Sequence, residues 1–292
     1  SMIHRHASAL LPTSAFVVLW SSGAIVSEIG LRYGSPFALL IFRYAIAFTV
    51  LVAFAAWNRT LLPGPGTRWR NALIGFLIAG LYSIFYLLAL DNGITPGALA
   101  TLLGVQPILT LFLTERRATV LRLIGLGIAL TGLALVVSDG LASLRFDLIG
   151  LACAGLSLLG ITAGSILQKC ERQAPWVVLP MQYAVGLTFA AALSPLGEFR
   201  ASWDVGFVLP VLWLGLVISV ATTFLLYRLI ARGNLVNVTS LFYLVPGVTA
   251  AMDWAFLGNA MSALMMGGLA LVVVGLLVVF RYKAAEPRQA PS

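Results

Sequence analysis

Two tyrosines four residues apart, Tyr82 and Tyr86, lie inside a long apolar run, and at helical spacing they share one face. A phenol offers a flat apolar ring with a hydroxyl at its tip, suited to stacking on an aromatic ligand while bonding an amino or carboxyl group. Thr223 and Tyr227 stand in a later apolar run, and Trp20, Ser21 and Ser22 in the middle of the first. Tryptophan is usually enriched at the membrane interface, so Trp20 at mid-run depth reads as a cavity wall. The hydroxyls have a second reading, as bonds to their own backbone or to a neighbouring helix. Thr101, Gln106, Ser240 and Tyr243 complete the candidate substrate-binding set. Pro107 and Pro246 each remove a backbone donor within an apolar run, which makes each a hinge or a fixed kink. Arg43 is a basic residue well inside a run, and Glu28 lies near the same end one run earlier. Charge at that depth is costly unless paired, so the two are expected to form an intramembrane ion pair; a substrate carboxylate is the other partner open to Arg43. Glu115 and Asp253 fall near run ends, where solvated roles are expected.

No catalytic residues are expected. His4 and His6 both precede the first apolar run and no GxxxxGK[ST] loop occurs, so neither a metal site, a nucleotide-driven step nor any other cofactor is read from the chain. Cys153 and Cys170 fall where thiols stay reduced, so they support no disulfide.

These side chains need elements to hold them at depth. Of the 292 residues, 60% are hydrophobic and 10% charged, and the mean hydropathy is +1.00, far from the usual soluble share of about 25% charged. A spanning helix needs about 20 predominantly apolar residues. Runs of that length fall at 11–30, 36–57, 71–90, 95–114, 120–138, 148–168, 176–196, 206–230, 236–257 and 263–281. They are continuous rather than alternating, which selects helices over a barrel. The first run is full length and lacks a small-residue cleavage site, so it is read as a span and not a leader. Loops are short and leave no room for a soluble domain.

A formal charge of +8 could suggest nucleic acid, but its distribution argues for topology instead. Of the 18 Lys and Arg, Arg43 is inside a span and only Arg32, Arg145 and Arg200 lie on the side opposite the N-terminus. The remaining basic residues place both termini in the cytoplasm and face anionic lipid; no nucleic-acid partner is expected.

The chain also repeats itself at an offset of about 139 residues. Pro36, Tyr44, Ala45 and Thr49 meet Pro175, Tyr183, Ala184 and Thr188; Thr101, Pro107 and Thr110 meet Ser240, Pro246 and Thr249; Arg43 meets Gln182; Gly75 and Gly215 agree within one residue. Five spans per copy is an odd number, so the second copy is inverted relative to the first. The expected architecture is an all-α integral membrane protein of ten transmembrane helices in two inverted five-helix repeats. Residues 1–10 form an N-terminal tail, 11–140 the first repeat, 141–282 the second and 283–292 a C-terminal tail. Inverted repeats suit alternating access around a site near the bilayer midplane.

The segments LWSSGAI after Leu19, Phe42–Arg43, GALATLLGVQPILTLFLTER from Gly97 and the following RLIGLGIALTG resemble the drug/metabolite transporter superfamily, in its EamA-type ten-span branch. Within it the chain is most similar to bacterial exporters of aromatic amino acids and methionine. The resemblance implies a basket-like bundle, four helices of each half around a cavity and the fifth of each outside it. It also implies a bacterial inner-membrane location and a small-molecule substrate. The expected function is export of aromatic and other large neutral amino acids, or similar metabolites, by facilitated diffusion or exchange. A carrier of drugs, purines or sugar phosphates with the same fold, or a non-transporting scaffold or sensor, are the alternatives. The oligomeric state is open, a monomer included. Reporter fusions should place both termini in the cytoplasm; an external C-terminus would mean a miscounted span and would remove the inversion with it.

Overall fold

In a computed structural model the chain is described at residues 2–115, 119–226 and 235–281, and its side chains at 11–115, 119–226 and 244–280. The described elements are all helical. Helix α1 is Met2–Leu31, so the expected N-terminal tail is drawn into the first helix; α2 is Pro36–Trp57. Helix α3 runs Arg68–Asp91 and α4 Pro96–Thr114. Then come α5 (Val120–Ala142), α6 (Leu148–Gln168), α7 (Pro175–Leu193) and α8 (Val205–Leu226). Helix α9 is Leu235–Met252, continued by a π turn at Asp253–Leu257, and α10 is Ala263–Arg281. Among the described residues nine helices are long and apolar enough to cross a membrane, and Leu244–Leu257 is a shorter apolar one.

The starts of these helices follow from short-range chemistry. Ser35, Thr95, Thr119 and Asp147 each accept a hydrogen bond from the backbone N–H three residues on, and proline follows Ser35 and Thr95 at the first helical position. Both devices satisfy or remove donors that a helix end would otherwise leave bare in hydrocarbon.

Two helices depart from α geometry in their middles. α3 passes through a π segment at Gly75–Tyr82 and α8 through another at Trp213–Thr222. Hydroxyls serve the wide turns: Ser83 donates to the Ile78 carbonyl, Ser219 to Leu214 and Thr222 to Val217, each five residues back. A third departure is a break in α4 at Gly104–Val105, between Pro96–Leu103 and Gln106–Thr114. Pro107 in the first turn after it cannot donate to the preceding segment.

The core is built where α2, α3, α4, α6, α7 and α8 meet, around Tyr44, Leu87, Leu99, Ala154, Ala190 and Leu214. α2 lies along α7, α6 along α3, and α1 against α8 and α9. α5 and α10 lie chiefly along one another, with outward residues such as Leu123, Ile124 and Val274 exposed. Their contact is at backbone distance: a Cβ added to Gly132 would come 2.5 Å from the Gly268 carbonyl oxygen and 2.9 Å from the Val272 nitrogen. Gly132→Leu should therefore destabilise the detergent-solubilised protein by about 1–3 kcal/mol through overpacking. Gly127→Leu, on the same helix but with nothing within 4 Å, should leave the melting temperature unchanged. Equal melting of the two variants would show that the α5–α10 seam does not bear on stability.

Candidate functional site

Tyr82 and Tyr86 meet edge to face, with ring centroids 5.6 Å apart. The backbone beneath them is gripped by α6, where Ser157 donates to the Tyr82 carbonyl at 2.9 Å and Gly160 sits directly against the Tyr82 amide. That grip fixes the π segment from behind and leaves the rings half-buried on its other side.

Beside them is a polar assembly absent from the sequence-derived set. Tyr44 and Tyr183, counterparts in the repeat, meet edge to face at 5.0 Å. The Tyr44 hydroxyl donates to Ser83 Oγ at 2.6 Å, and the Tyr183 hydroxyl to the Ser219 carbonyl at 3.3 Å. Arg43 donates from Nε to Ser219 Oγ at 3.0 Å and lies 5.5 Å from the Tyr44 ring centroid. Ser83 and Ser219 are thus the posts on which α3 and α8 hold the α2–α7 tyrosines. The signal available in advance was the Tyr44–Tyr183 identity across the repeat, next to the intramembrane arginine.

The expected Glu28–Arg43 ion pair does not form. Arg43 reaches across to α8, while the groups acting on the Glu28 carboxylate are Arg32, just past the end of α1, together with Asp253 and Asp91. Glu28 Oε2 is buried without a hydrogen-bond partner among the described residues. Adjacency of runs in sequence did not decide which way the arginine turns; the open hydroxyl of the α8 π segment did. Asp253 is also not solvated: it is 1% exposed, accepts from the Gly97 N–H at 2.9 Å and from Asn259 at 2.8 Å, and so binds α9 to the start of α4. Glu115 pairs with Arg122.

The other named positions divide. Trp20 stacks on Phe16 at 5.6 Å, and Ser22 donates to the Leu19 carbonyl and accepts from Trp213 Nε1 at 3.0 Å, tying α1 to α8. Ser21 Oγ is buried with no partner among the described residues. Thr101 is fully buried and donates to the Gly97 carbonyl, and Gln106 donates to Thr110 Oγ1. Thr223 is half-buried and bonds only weakly back, at 3.4 Å, to Ile218. Ser240 and Tyr243 lie in α9, with side chains outside the described set, and Tyr227 is outside the described residues. The two prolines are neighbours through Gly104, whose added Cβ would lie 3.2 Å from Pro246 Cγ. They are not equivalent: α4 is interrupted just before Pro107, whereas helix Leu235–Met252 continues through Pro246.

A second polar assembly closes the ends of α3, α6 and α7. Glu171 Oε2 accepts from Arg70 at 2.9 Å and from Asn71 at 2.8 Å, and its Oε1 from Gln173. Gln182 donates to Asn71 at 3.0 Å and to Gln168 at 3.2 Å. Burial by itself would raise the Glu171 carboxyl, but the Gln173 N–H and the Arg70, Asn71 and Gln173 side chains outweigh it and hold the pKa down to about 2.

A bundle of apolar spans whose polar groups gather inside it defines a multi-pass membrane protein. Residues 8–138 match the EamA-like transporter family, so the chain is similar to membrane transporters over that stretch. It is 25% identical to an uncharacterized transporter of Archaeoglobus fulgidus, over 80% of this chain and 84% of that one. It is 22% identical to a probable amino-acid metabolite efflux pump of Salmonella typhimurium, over 91% and 93% of the two chains. An uncharacterized transporter of Bacillus subtilis is also 22% identical, over 94% and 92%. A crystal structure of a protein 21% identical aligns with a TM-score of 0.64, over 96% of this chain and 99% of that chain, and shares the fold. These matches point to a transporter rather than an enzyme.

Glu171 supplies a pH test. A carboxyl whose folded pKa lies below its unfolded value stabilises the fold above the unfolded pKa and ceases to do so as pH falls through the folded one. The melting temperature of wild type should exceed that of Glu171→Gln at neutral pH, and the gap should close as pH falls from 4.5 towards about 2. A gap that stays constant over that window would show that ionised Glu171 does not hold these helix ends together.

Proposed function

We propose that this chain exports aromatic and other large neutral amino acids, or small metabolites of that shape and polarity, by alternating access between two inverted five-span repeats. The observation that carries the substrate class is the Tyr82–Tyr86 pair beside the Tyr44–Tyr183 contact, four phenols with few charged neighbours. Such an interior suits a zwitterion with a large apolar side chain. The similarity to a probable amino-acid metabolite efflux pump points the same way.

The inverted arrangement is supported by contacts that recur in both halves. An added Cβ on Gly75 would lie 2.6 Å from the Gln182 carbonyl, and one on Gly215 would lie 3.0 Å from the Arg43 carbonyl. Gly75 and Gly215 correspond in the repeat, as do Gln182 and Arg43. The π segments fall at matching places too. Leu244–Leu257, with the part of α9 before it, serves as the span that completes ten, and the α5–α10 pair lies outside a basket of the other eight. Both termini face the cytoplasm of a bacterial plasma membrane. In this reading the interruption before Pro107 is a hinge, Pro246 is the fixed surface against which it moves, and Trp20, Ser22, Thr101, Gln106 and Thr223 shape the path. Facilitated diffusion or exchange fits an interior dominated by hydroxyls and rings.

Among rival cargoes, sugar phosphates ask for several cations at depth. Among the described residues Arg43 is the basic residue expected there. The test is transport of labelled phenylalanine, tryptophan and methionine into proteoliposomes. Tyr82→Ala and Tyr86→Ala should each raise the apparent KM several-fold, about 1 kcal/mol of lost ring and hydroxyl contact, with monodisperse protein retained. Wild-type kinetics in both variants would remove the aromatic site.

A further inference from the structure

Arg43 carries a charge deep in a span with no acidic side chain bonded to it among the described residues. A guanidinium has five N–H groups, and only the one on Nε is engaged, by Ser219 Oγ at 3.0 Å. The N–H groups of Nη1 and Nη2 have no protein acceptor among the described residues, and Arg43 is half-buried rather than sealed. Its orientation is nevertheless fixed. The Nε bond holds one edge, the Tyr44 ring lies 5.5 Å from the guanidinium carbon, and Ser219 is itself held by its bond to the Leu214 carbonyl. Gly215 packs against the Arg43 carbonyl from the same π segment, so backbone and side chain are positioned by one helix.

The corresponding position of the second repeat is used differently. Gln182 is neutral, 5% exposed and bonded to Asn71 and Gln168. A charge has been placed at one of two equivalent positions, aimed and left with two open nitrogens. A neutral residue there would give packing at lower desolvation cost. An end-on pair of guanidinium nitrogens is the geometry that a planar carboxylate occupies with two parallel hydrogen bonds.

We propose that Arg43 reads the carboxylate of the substrate, with Ser219 as the residue that positions it and the half-buried Tyr82 and Tyr86 rings receiving the substrate side chain. The ligand class is a carboxylate-bearing zwitterion with an apolar side chain. Cationic amines and neutral amides of the same shape are poor ligands. The proposal rests on the amino-acid reading above and adds which chemical group is recognised and by which atoms.

Competition against labelled phenylalanine counterflow in proteoliposomes tests it, using phenylalanine, phenylalaninamide and phenethylamine. In wild type the amide and the amine should compete about tenfold or more weakly than the acid, the scale of one charge-assisted pair. Arg43→Gln, which installs the side chain found at the equivalent position, should weaken the acid until acid and amide compete equally, with little change for the amide. Ser219→Ala keeps the charge but releases it, and should raise the KM for the acid several-fold and lower the acid-to-amide ratio with kcat retained. Phenylalanine transport by wild type with no preference for acid over amide overturns the carboxylate assignment while leaving the exporter reading intact. So does an Arg43→Gln protein that keeps the preference. Should Arg43→Gln not yield monodisperse protein, the Ser219→Ala ratio decides: a fall supports the assignment and an unchanged ratio overturns it. Absence of phenylalanine transport by wild type sinks the exporter reading and this proposal with it.

Discussion

At Gly75 a methyl group would lie 2.6 Å from the Gln182 carbonyl oxygen and 2.7 Å from its Cα. Any side chain there would push α3 away from α7. Everything described at the centre of the bundle hangs on that close approach and on its counterpart between Gly215 and Arg43. Contact at backbone distance brings Tyr44 on α2 within hydrogen-bond reach of Ser83 on α3, and Tyr183 on α7 within reach of Ser219 on α8. It also lets α2 and α7 meet through the two tyrosine rings. In lipid the hydrophobic effect does not drive helices together, so small residues and interhelical hydrogen bonds must supply the association. Here the two are placed in or immediately after the same π segments.

The π geometry serves that placement. A five-residue turn widens the helix and leaves carbonyls poorly matched to the α pattern, and in hydrocarbon each must find a donor. Ser83, Ser219 and Thr222 provide one from their own hydroxyls. Ser83 and Ser219 have acceptor capacity left, and it is that capacity which Tyr44 and Arg43 use. The local repair of a distorted helix thereby becomes the docking point for groups on the neighbouring one.

Span positions were legible because about 20 consecutive apolar residues have few other solutions; the run at 36–57 coincides with Pro36–Trp57 and that at 148–168 with Leu148–Gln168. The helical face shared by Tyr82 and Tyr86 was legible for the same local reason, since spacing of four determines it. What was not legible depends on rotations of one helix against another. Arg43 lies on a helix adjacent in sequence to Glu28, yet its partner is Ser219, 176 residues away. Asp253 lies near a span end, where solvent is the default, yet it is buried because the N-terminus of α4 offers it the Gly97 N–H. Pro107 and Pro246 match in the repeat, but a glycine precedes only the first by three residues, and the helix is interrupted there.

The two halves use equal positions for unequal ends. Around Gln182 every polar group named has a protein partner: Asn71 bridges it to Glu171, and Glu171 gathers Arg70, Asn71 and Gln173. Around Arg43 the described residues supply one hydroxyl and an aromatic face. A multiply bonded network resists water and motion, because each group withdrawn from it would be left bare in a low-dielectric interior, although Arg70 Nε already lacks a partner among the described residues. A partly bonded cation has the opposite character, since an added anion lowers its energy. If the halves exchange roles during transport, the bonds around Gln182 and Glu171 must open on one side as substrate arrives on the other. Substrate bound at Arg43 would offset in part the cost of parting them. On the function proposed above, that arrangement would couple occupancy to conformation through the difference between a satisfied glutamine and a partly bonded arginine at matched positions.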